Sequence, residues 1–512
     1  MTLTTPFFAV NPATDEPMEP AFHDATPDEI NAAIQKASTA FPIYRNKSGA
    51  EKADFLEAIG EAIVALGDTL IARAGEESGL PQTRLIGERG RTVGQLKLFA
   101  GLLREGSWVD ARIDTPLPER TPLPRPDIRS LQKALGPVGV FGASNFPLAF
   151  SVAGGDTVSA LAAGCPVIFK AHPAHPGTCQ MVGAAIQAAM QQTGMPDGVF
   201  SLVQGRSTDV GRAIARHPSI KAIGFTGSFA GGKALFDEAN KRPYPIPVYA
   251  EMGSTNPVFI LPQILRENGA KLAQELAASM TLGVGQFCTS PGLVFLQQSA
   301  DEVKFRDDLA QTVRELPSGV MLTEGIRSGY QKGIEKLSGS AGVRVLATGK
   351  NEGEGSRGIP QVLHATAALF LSDPVLEEEV FGPSTLAVTA DDKAQLLEAA
   401  AQLGGHLTAT ILGTDADLKE YADLIGILEQ KVGRLLINGY PTGVEVCHAM
   451  VHGGPFPATT DSRTTSVGTL AIHRFTRPVC YQNFPDSLLP TELKEANPLG
   501  IWRLVNGERQ KD

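Results

Sequence analysis

The sequence predicts an α/β protein built around a doubly wound parallel sheet. The first observation is a strand–helix–strand pattern over residues 138–170, with glycine and proline at its junctions. The second is that strand-like and helix-like segments keep alternating as far as Phe225 and resume after Glu251. The third is size, since 512 residues with 42% hydrophobic side chains can form more than one core. Two or three domains are therefore expected.

The part of the chain before this pattern is expected to be helical and then extended. Residues 27–106 are rich in charge, and Asp28 to Lys36 and Glu51 to Ala65 are the clearest amphipathic segments. Five prolines between Asp114 and Pro126 exclude a helix or a central strand, so an extended excursion or an edge element is expected there. The first 20 residues lack the basic and apolar regions of a secretory signal, and we expect the mature protein to keep them.

The central pattern can be divided into individual elements. Val138 to Gly142 is predicted as a strand, Leu148 to Ala163 as a helix capped by Gly164, and Val167 to Lys170 as the next strand. The elements predicted after these are a helix over Cys179 to Thr193, a strand over Val199 to Val203, a helix over Thr208 to Arg216 and a strand over Ile220 to Phe225. A second α/β section is predicted from about Glu251 to Gly468, with strands such as Val258 to Leu261 and Val294 to Leu296.

Charge, hydropathy and cysteine content exclude several classes of partner. Lys and Arg number 45 against 55 Asp and Glu, a formal net charge of −10 without any basic run, so no nucleic acid is expected. Between Lys133 and Lys170 the only charged residue is Asp156, but glycine and proline interrupt this stretch too often for a membrane span. The five scattered cysteines fit a reducing cytoplasm better than a disulfide framework: Cys165, Cys179, Cys288, Cys447 and Cys480.

A literal dinucleotide-type glycine pattern occurs at Gly353-x-Gly355-x-x-Gly358. Its surroundings are polar and acidic, and Ile359-Pro360 follows instead of a helix. Because the pattern binds pyrophosphate only between a strand and a helix N-terminus, we interpret it as a surface loop. A cofactor site is therefore expected elsewhere.

Three short constellations are candidates for chemistry. Cys288 follows a glycine-bearing turn in Gly285-Gln286-Phe287-Cys288-Thr289, where a loop thiol can act as a nucleophile or simply pack. Glu251 follows an apolar stretch and lies just before Gly253; it could act as a general base or could be a solvated loop acid. Asn145 lies at a strand-to-helix turn, where its amide could face an oxyanion, although asparagine is common in turns.

Two further constellations suggest cofactor contacts. Thr226-Gly227-Ser228 lies at a strand end that leads into a glycine-bearing helix, where backbone N–H groups could bind a phosphate. The segment Glu378 to Pro383 combines two adjacent acids with Phe381 and a predicted turn; by itself this pattern indicates only an amphipathic loop.

Together, in this order and spacing, these five constellations resemble the aldehyde dehydrogenase superfamily over nearly the whole chain. The resemblance implies that Cys288 attacks the aldehyde carbon, that Asn145 and the Cys288 N–H hold the oxyanion, and that Glu251 activates water. It also implies a nicotinamide cofactor, NAD or NADP, as hydride acceptor and no metal ion. The residues it implies for cofactor binding are Lys170, His172, Pro173, Arg206, Gly227, Ser228, Glu379 and Phe381.

The string Lys170-Ala171-His172-Pro173 departs from members dedicated to NAD, which resemble Lys-x-x-Glu at this strand end. With no acid in the string, nothing anionic is expected to repel a ribose 2′-phosphate. Arg206 could pair with that phosphate or could be an ordinary exposed arginine. NADP is therefore predicted to be accepted and preferred.

Residues 141–178 and 452–469 are similar to the branch that acts on 2-oxoglutarate semialdehyde, also called 2,5-dioxovalerate. Succinate or glutarate semialdehyde is the alternative substrate, and a cysteine acyltransferase or thioesterase that needs no cofactor is the alternative enzyme class. The side chains implied for the substrate tunnel are Arg91, Phe150, Phe287 and Phe456. Arg91 lies on a predicted helix, Glu88 to Leu103, and could equally face solvent.

The resemblance also implies a division of the chain into a Rossmann-type cofactor domain, an α/β catalytic domain and a small bridging element. The expected bounds are 1–107 with 134–249, then 250–470, and finally 108–133 with 471–512. Family members assemble as dimers or tetramers, so a homodimer or homotetramer is expected. Tyr481 to Phe484 could form an edge strand that pairs with another subunit's sheet.

Overall fold

A computed structural model describes residues 6–511. Three sheets organise these residues: a five-stranded sheet, a seven-stranded sheet and a second five-stranded sheet that contains the C-terminal strands. A small antiparallel hairpin, Phe7–Asn11 with Glu16–Phe22, precedes them. The domain bounds expected from the sequence remain a prediction.

The first sheet is entirely parallel, and its strand order follows the doubly wound pattern. Its central strand, Val138–Phe141, is fully buried, as expected for a parallel sheet covered on both faces. The carboxyl ends of the strands meet at one edge, which brings Lys170 and Glu251 to the same side of the molecule. Across the sheet the strands are Phe200–Val203, Val167–Lys170, Val138–Phe141, Ala222–Thr226 and Val248–Glu251.

Eight helices belong to this first half of the described chain. Two of them begin with capping boxes, Thr26 with Glu29 and Ser48 with Glu51. In each box the Thr or Ser hydroxyl accepts a hydrogen bond from the Glu backbone N–H, and the Glu carboxylate accepts one from the Thr or Ser backbone N–H. The helices are Pro27–Tyr44, Gly49–Ala65, Gly67–Ser78, Gln82–Glu105, Gly155–Ala163, Pro176–Gln192, Thr208–Arg216 and Phe229–Asn240. The predicted helix over Thr208 to Arg216 is confirmed, and the helical segments predicted over 28–36, 51–65, 88–103 and 179–193 overlap observed helices. The helix Gly67–Ser78 lies in the stretch predicted only as helix-rich.

The predicted helix over Leu148 to Ala163 is wrong in its first half, because the helix begins only at Gly155. Residues 145–153 form successive turns instead. Glu88, buried on the helix Gln82–Glu105, accepts hydrogen bonds from the backbone N–H groups of Leu148 (2.8 Å) and Ala149 (3.0 Å). These bonds replace those that a helix would have supplied, so the chain here can stay irregular although it is largely buried.

The second sheet has seven strands, all parallel to their neighbours except the antiparallel edge strand Arg344–Thr348. Phe259 and Phe295 are paired across neighbouring strands, and their rings stack at 4.7 Å on one face. Val258 and Ile260 belong to the core on the other face. The strands, in spatial order, are Arg344–Thr348, Gln361–Thr366, Ser384–Ala390, Leu293–Gln297, Val258–Ile260, His406–Leu412 and Val432–Ile437.

Helices cover both faces of this sheet. The longest, Pro262–Thr281, leads directly toward the turn that carries Cys288. The others are Ala300–Arg314, Glu324–Gly339, Ala367–Ser372, Lys393–Gln402, Asp415–Glu420 and Ala422–Leu428. The glycine pattern at residues 353–358 forms a loop that ends in a two-residue strand, Arg357–Gly358, paired with Gly319–Val320. A strand and not a helix follows it, which confirms that the motif lacks the helix a phosphate site needs.

The third sheet combines two strands from residues 112–134 with three strands from the C-terminal part of the chain. Its strands, in order, are Thr476–Gln482, Ile128–Ala134, Arg112–Asp114, Arg503–Val505 and Glu508–Gln510. The proline-rich stretch contains no helix, as predicted, but it turns back on itself over residues 118–123, with one antiparallel bridge between Leu117 and Arg125. Thr476–Gln482 is an edge strand, and it contains Tyr481. Pairing of this edge with another subunit stays a prediction.

Among residues 6–511, the helices all fall short of the length and apolarity that a bilayer crossing would require.

Candidate active site

The candidate nucleophile, Cys288, lies in a tight turn between the helix Pro262–Thr281 and the strand Leu293–Gln297. Gly285 has a φ of 66° and lies against the backbone of Gly382, so any side chain at this position would be both strained and blocked. The side-chain amide of Asn256 donates to the carbonyl oxygens of Cys288 and Ser290, each at 2.9 Å. The turn is therefore fixed by Gly382 before Cys288 and by the Asn256 amide after it. Cys288 is half-buried and forms no disulfide.

Glu251 ends the last strand of the first sheet and is 2% exposed. Its two carboxylate oxygens have different partners: Oε1 lies 2.9 Å from His452 Nε2, and Oε2 accepts a 2.5 Å hydrogen bond from Ser466 Oγ. A buried ion pair, Arg474 with Asp156 (2.5 Å), lies within electrostatic reach. The predicted base is thus fixed in place by residues from the C-terminal part of the chain.

His452 is the residue that the sequence interpretation missed. It is fully buried, and its Nε2 lies 3.4 Å from Cys288 Sγ as well as 2.9 Å from the Glu251 carboxylate. It is separated from these partners by 164 and 201 residues, and no local pattern around it marks a catalytic histidine. Only its inclusion in the branch-like segment 452–469 could have drawn attention to it.

The electrostatics of this triad favour an ion pair. Burial alone would lower the pKa of His452, but the negative charges of Glu251 and Cys288 outweigh it and raise that pKa to about 10. Burial alone would raise the pKa of Glu251, but the charge of His452 and the hydrogen bonds from His452 and Ser466 lower it. The imidazolium form of His452 is therefore favoured near neutral pH, which places a positive charge 3.4 Å from the Cys288 sulfur.

The same three residues could also hold a metal ion by composition. One ligand atom from each of Glu251, Cys288 and His452 lies within 4.8 Å of the other two. Cysteine, histidine and carboxylate are all ligands that zinc accepts. No metal ion is predicted from the sequence, and the same groups can serve as nucleophile, acid and base.

Asn145, the predicted oxyanion donor, is 7% exposed and lies next to the nucleophile turn. Its side-chain Nδ2 donates to the carbonyl of Gln286 at 3.0 Å, two residues before Cys288. Arg84, which the sequence interpretation did not single out, donates to the Asn145 carbonyl at 2.7 Å. Its guanidinium also lies over the rings of Phe146 (4.9 Å) and Phe287 (4.7 Å), so it joins the Asn145 turn to the Cys288 turn.

The predicted substrate residues do not all lie together. Phe150 packs edge-on against Phe146, its ring is 6.3 Å from that of His452, and the Arg91 guanidinium lies 4.9 Å above it. Phe287 packs on the other side of Phe146, with the ring centres 5.3 Å apart. Phe456 is exposed, and its ring contacts Phe229 at the start of the helix that follows Ser228. Its part in substrate binding therefore stays a prediction without support from these contacts.

A cleft next to the nucleophile contains two of the predicted cofactor residues. Glu379, Phe381 and Phe287 line it together with the backbone of Ser254 and Gly285. The Glu379 side chain reaches the surface inside this cleft, and desolvation of its carboxyl group by the cleft walls raises its pKa to about 7. Its Oε1 accepts a 3.2 Å hydrogen bond from the Ser254 N–H, which leaves carboxylate lone pairs for a ribose hydroxyl.

At the far end of the cofactor edge, the structure corrects the expectation that nothing anionic lies near Lys170. Asp24, from the segment before the first helix, interacts electrostatically with Lys170. Its carboxylate accepts hydrogen bonds from the backbone N–H groups of Arg206 (2.5 Å) and Ser207 (3.2 Å). These hydrogen bonds hold Asp24 at the end of the strand that carries Lys170. Because Asp24 and Arg206 are 182 residues apart in sequence, no local motif could have predicted this contact.

The remaining predicted cofactor residues lie along the same edge. Burial lowers the pKa of Lys170 to about 8, and burial lowers the pKa of His172, whose ring stacks on His175, well below its usual range. Pro173 follows in the same turn. Ser228 caps the helix Phe229–Asn240 by accepting from the Gly231 N–H at 3.2 Å, so its hydroxyl serves its own helix in this structure. The exposed Gly227 precedes it.

Comparison with known proteins identifies the family. The sequence profile described as "Aldehyde dehydrogenase family" matches residues 3–456. This chain belongs to the aldehyde dehydrogenase family. Among its aldehyde dehydrogenase relatives, "Alpha-ketoglutaric semialdehyde dehydrogenase 2" of Azospirillum brasilense is 54% identical over 507 residues, 98% of this chain and 96% of that protein. "Alpha-ketoglutaric semialdehyde dehydrogenase" of Acinetobacter baylyi is 49% identical over 500 residues, 98% of this chain and 95% of that protein.

Solved structures confirm the aldehyde dehydrogenase fold. Aldehyde dehydrogenase 21 from Physcomitrella patens, in complex with the reaction product succinate, aligns with a TM-score of 0.79 at 19% identity and covers 96% of this chain and 97% of its own. An NAD⁺ complex of an aldehyde dehydrogenase from Bacillus cereus aligns with a TM-score of 0.78 at 22% identity, covering 93% of each chain. At these identities the likeness concerns the fold alone.

Proposed function

We propose that this aldehyde dehydrogenase oxidises 2-oxoglutarate semialdehyde to 2-oxoglutarate with NAD or NADP as hydride acceptor. The observation that carries the chemistry is the arrangement of Cys288, His452 and Glu251, in which one imidazolium contacts both the sulfur and the carboxylate. The substrate is supported by the two relatives of about 50% identity, which are named for this semialdehyde. Succinate and glutarate semialdehydes are the alternative substrates.

The first chemical step belongs to Cys288. Its thiolate, stabilised by His452, attacks the aldehyde carbon; a C–S bond forms and the carbonyl electron pair becomes an oxyanion. Asn145 lies beside the nucleophile turn, and its amide, together with the Cys288 N–H, is the proposed donor to that oxyanion. The carbon then gives up hydride and becomes a thioester carbonyl, which leaves the sulfur bonded to an acyl group.

The second step belongs to Glu251. Held by Ser466 and His452, its carboxylate accepts a proton from the water that attacks the thioester carbonyl. The C–S bond breaks, the acid is released and the thiolate returns. Because sulfur carries no negative charge while it is acylated, the charge that remains beside His452 is that of Glu251, which keeps the imidazolium in place between the two steps.

The cleft lined by Glu379 and Phe381 fits a nicotinamide nucleotide, because a carboxylate with spare acceptors and an aromatic ring lie next to the nucleophile turn. When bound there, the cofactor supplies the hydride acceptor. We propose that Lys170 and Arg206 bind the adenosine end, with His172, Pro173, Gly227 and Ser228 nearby, and that NADP is accepted and preferred. Asp24 is the group that opposes this preference.

A cysteine acyltransferase or thioesterase is the second candidate function. A cysteine, a histidine and a carboxylate close together also occur in cysteine hydrolases, which need no cofactor, although here one histidine nitrogen, Nε2, faces both partners. This candidate predicts thioester turnover in the absence of any nucleotide. It makes no use of the cleft at Glu379 and Phe381.

The test is a spectrophotometric assay of 2-oxoglutarate semialdehyde, glutarate semialdehyde, succinate semialdehyde and short neutral aldehydes with NADP and with NAD. We expect the highest kcat/KM for 2-oxoglutarate semialdehyde and loss of aldehyde oxidation in Cys288→Ala. Cys480→Ala, which removes an exposed thiol, is the matched control. Parental turnover by Cys288→Ala, or oxidation of short neutral aldehydes alone, contradicts the proposal.

We further propose that the protein works in the cytoplasm as a homodimer or homotetramer. All five cysteines are unpaired, as in a reducing compartment. The edge strand Thr476–Gln482 offers unpaired backbone groups, on which a second copy could add its own sheet. Light scattering of the purified protein measures the assembly, and a monomer at micromolar concentration would contradict it.

A further inference from the structure

Two guanidinium groups lie within electrostatic reach of Cys288. Arg91, on the helix Gln82–Glu105, belongs to the first half of the molecule, and Arg434, on the strand Val432–Ile437, is at the edge of the second sheet. Cys288, when it is ionised, interacts electrostatically with both arginines. The sequence interpretation included Arg91 as a substrate residue, but it gave Arg434 no role.

One loop joins the two arginines. Arg434 donates to the carbonyl oxygens of Pro441 (2.7 Å) and Gly443 (3.0 Å), while Arg91 Nη2 lies 3.5 Å from the carbonyl of the next residue, Val444. Both side chains therefore point toward the same few residues of backbone. The Arg91 guanidinium also lies over Phe150, whose ring neighbours His452, so this loop lies close to the reactive centre.

Both guanidinium groups are short of partners. Arg91 Nη1 and Arg434 Nε are buried and have no hydrogen-bond partner among residues 6–511. Within that same part of the chain, neither arginine forms a salt bridge of 4 Å or less. Burial lowers the pKa of both arginines; Glu88, Glu251 and Glu445 offset this only partly at Arg91, and no carboxylate of the described residues offsets it at Arg434. A buried cation without a counter-ion is costly, so a ligand that supplies negative charge would bind here favourably.

We propose that Arg434 and Arg91 together form the subsite for the carboxylate at the distal end of the aldehyde substrate. This inference rests on the proposed function and extends it, since it assigns Arg434 as a specificity-determining residue. A carboxylate accepts two hydrogen bonds in a plane, which matches the donors that a guanidinium presents. An aldehyde with a carboxylate at its other end can therefore place its carbonyl carbon at Cys288 and its charge between the two arginines.

The experiment compares an acidic and a neutral aldehyde of equal chain length, 2-oxoglutarate semialdehyde and pentanal, in the intact enzyme and in Arg434→Gln. The measured quantity is the ratio of their kcat/KM values. Loss of a charge-assisted contact predicts that this ratio falls about 10- to 100-fold, mainly through the KM of the acidic aldehyde. Arg266→Gln, which removes an exposed arginine from the helix Pro262–Thr281, is the charge-matched control and should leave the ratio unchanged.

The competing role for Arg434 is mere support of the loop at residues 441–444. In that case Arg434→Gln would lower kcat/KM for both aldehydes by the same factor, and an unchanged ratio overturns the inference. Arg434→Lys, which keeps the charge but loses the planar fork, should lower the ratio less than Arg434→Gln. If Arg434→Gln does not fold, the ratio for Arg434→Lys decides instead: any selective loss for the acidic aldehyde supports the subsite, and none overturns it.

Failure of the proposed function would look different. An intact enzyme that oxidises pentanal but not 2-oxoglutarate semialdehyde would refute the proposed substrate before any variant is made. Competition by the product provides a second measurement: 2-oxoglutarate should inhibit pentanal oxidation by the intact enzyme about tenfold or more strongly than it inhibits Arg434→Gln. Inhibition less than about tenfold stronger in the intact enzyme overturns the carboxylate subsite.

Discussion

The two ends of the cofactor edge use charge in different ways. At the catalytic end, Glu251 and His452 are buried and lie 2.9 Å apart, although His452 Nδ1 has no partner among the described residues. At the adenosine end, Lys170 and Asp24 are half-buried and Arg206 is exposed. Charges that are buried interact strongly, whereas exposed charges are weakened by water and salt. Substitutions should therefore have large effects on the chemistry at one end and small effects on cofactor choice at the other.

The largest effect is expected at the catalytic end for His452→Gln, because glutamine can hydrogen-bond to Glu251 but cannot carry the positive charge that faces Cys288. We predict a fall in kcat of about 10²- to 10⁴-fold, measured with saturating aldehyde and cofactor.

His473→Gln, which changes an exposed histidine in the same C-terminal segment, is the matched control for this substitution. A fall of less than about threefold in kcat for His452→Gln would show that the histidine only fills space, since acid–base groups normally contribute far more.

The pH dependence of thiol alkylation sharpens the same comparison. Because the pKa of His452 is raised to about 10, its charge is present below that pH and is lost above it. Iodoacetamide should therefore alkylate Cys288 at pH 6.5 about tenfold or more faster in the native enzyme than in His452→Gln. The two rates should converge as the pH rises through about 10; a rate ratio that stays constant over this range would argue against the ion pair.

A small effect is expected at the adenosine end for Asp24→Asn. Removing the carboxylate beside Lys170 takes away the charge that opposes a ribose 2′-phosphate, so the ratio of kcat/KM for NADP to that for NAD should rise. Because the charges here are partly screened, we expect a rise of about three- to fivefold. Asp28→Asn, on an exposed acid four residues away, is the control. An unchanged or lower ratio would place the 2′-phosphate site elsewhere.

Local sequence was enough to predict what depends on local spacing. The alternating strands and helices of the first sheet, the turn of Cys288 and the strand end at Glu251 all follow from periodicity and turn residues. The helix start at Gly155 did not, because apolar residues 148–153 suit a helix and only the distant Glu88 supplies their alternative hydrogen bonds.

Residues that reach the site from far along the chain could not be predicted by this reasoning. His452 and Asp24 come within hydrogen-bond distance of partners more than 150 residues away, and neither lies in a motif of its own. The roles of Arg84 and Arg434 could not be predicted for the same reason, since they depend on the aromatic rings and carbonyl groups that the two side chains contact in the fold. Local motifs therefore identified the reacting residues, whereas the charged residues that alter their pKa values are brought to the site only by the fold.

The Glu88 contact has a consequence for evolution and for design. One carboxylate accepts both buried N–H groups of Leu148 and Ala149, so the position of Asn145 depends on the length of a side chain on another helix. An aspartate at 88 would retract the acceptor by one methylene and draw the turn with it. Homologues should therefore change position 88 and the segment 145–153 in concert, and a library that varies both offers a way to move the oxyanion donor without touching the nucleophile.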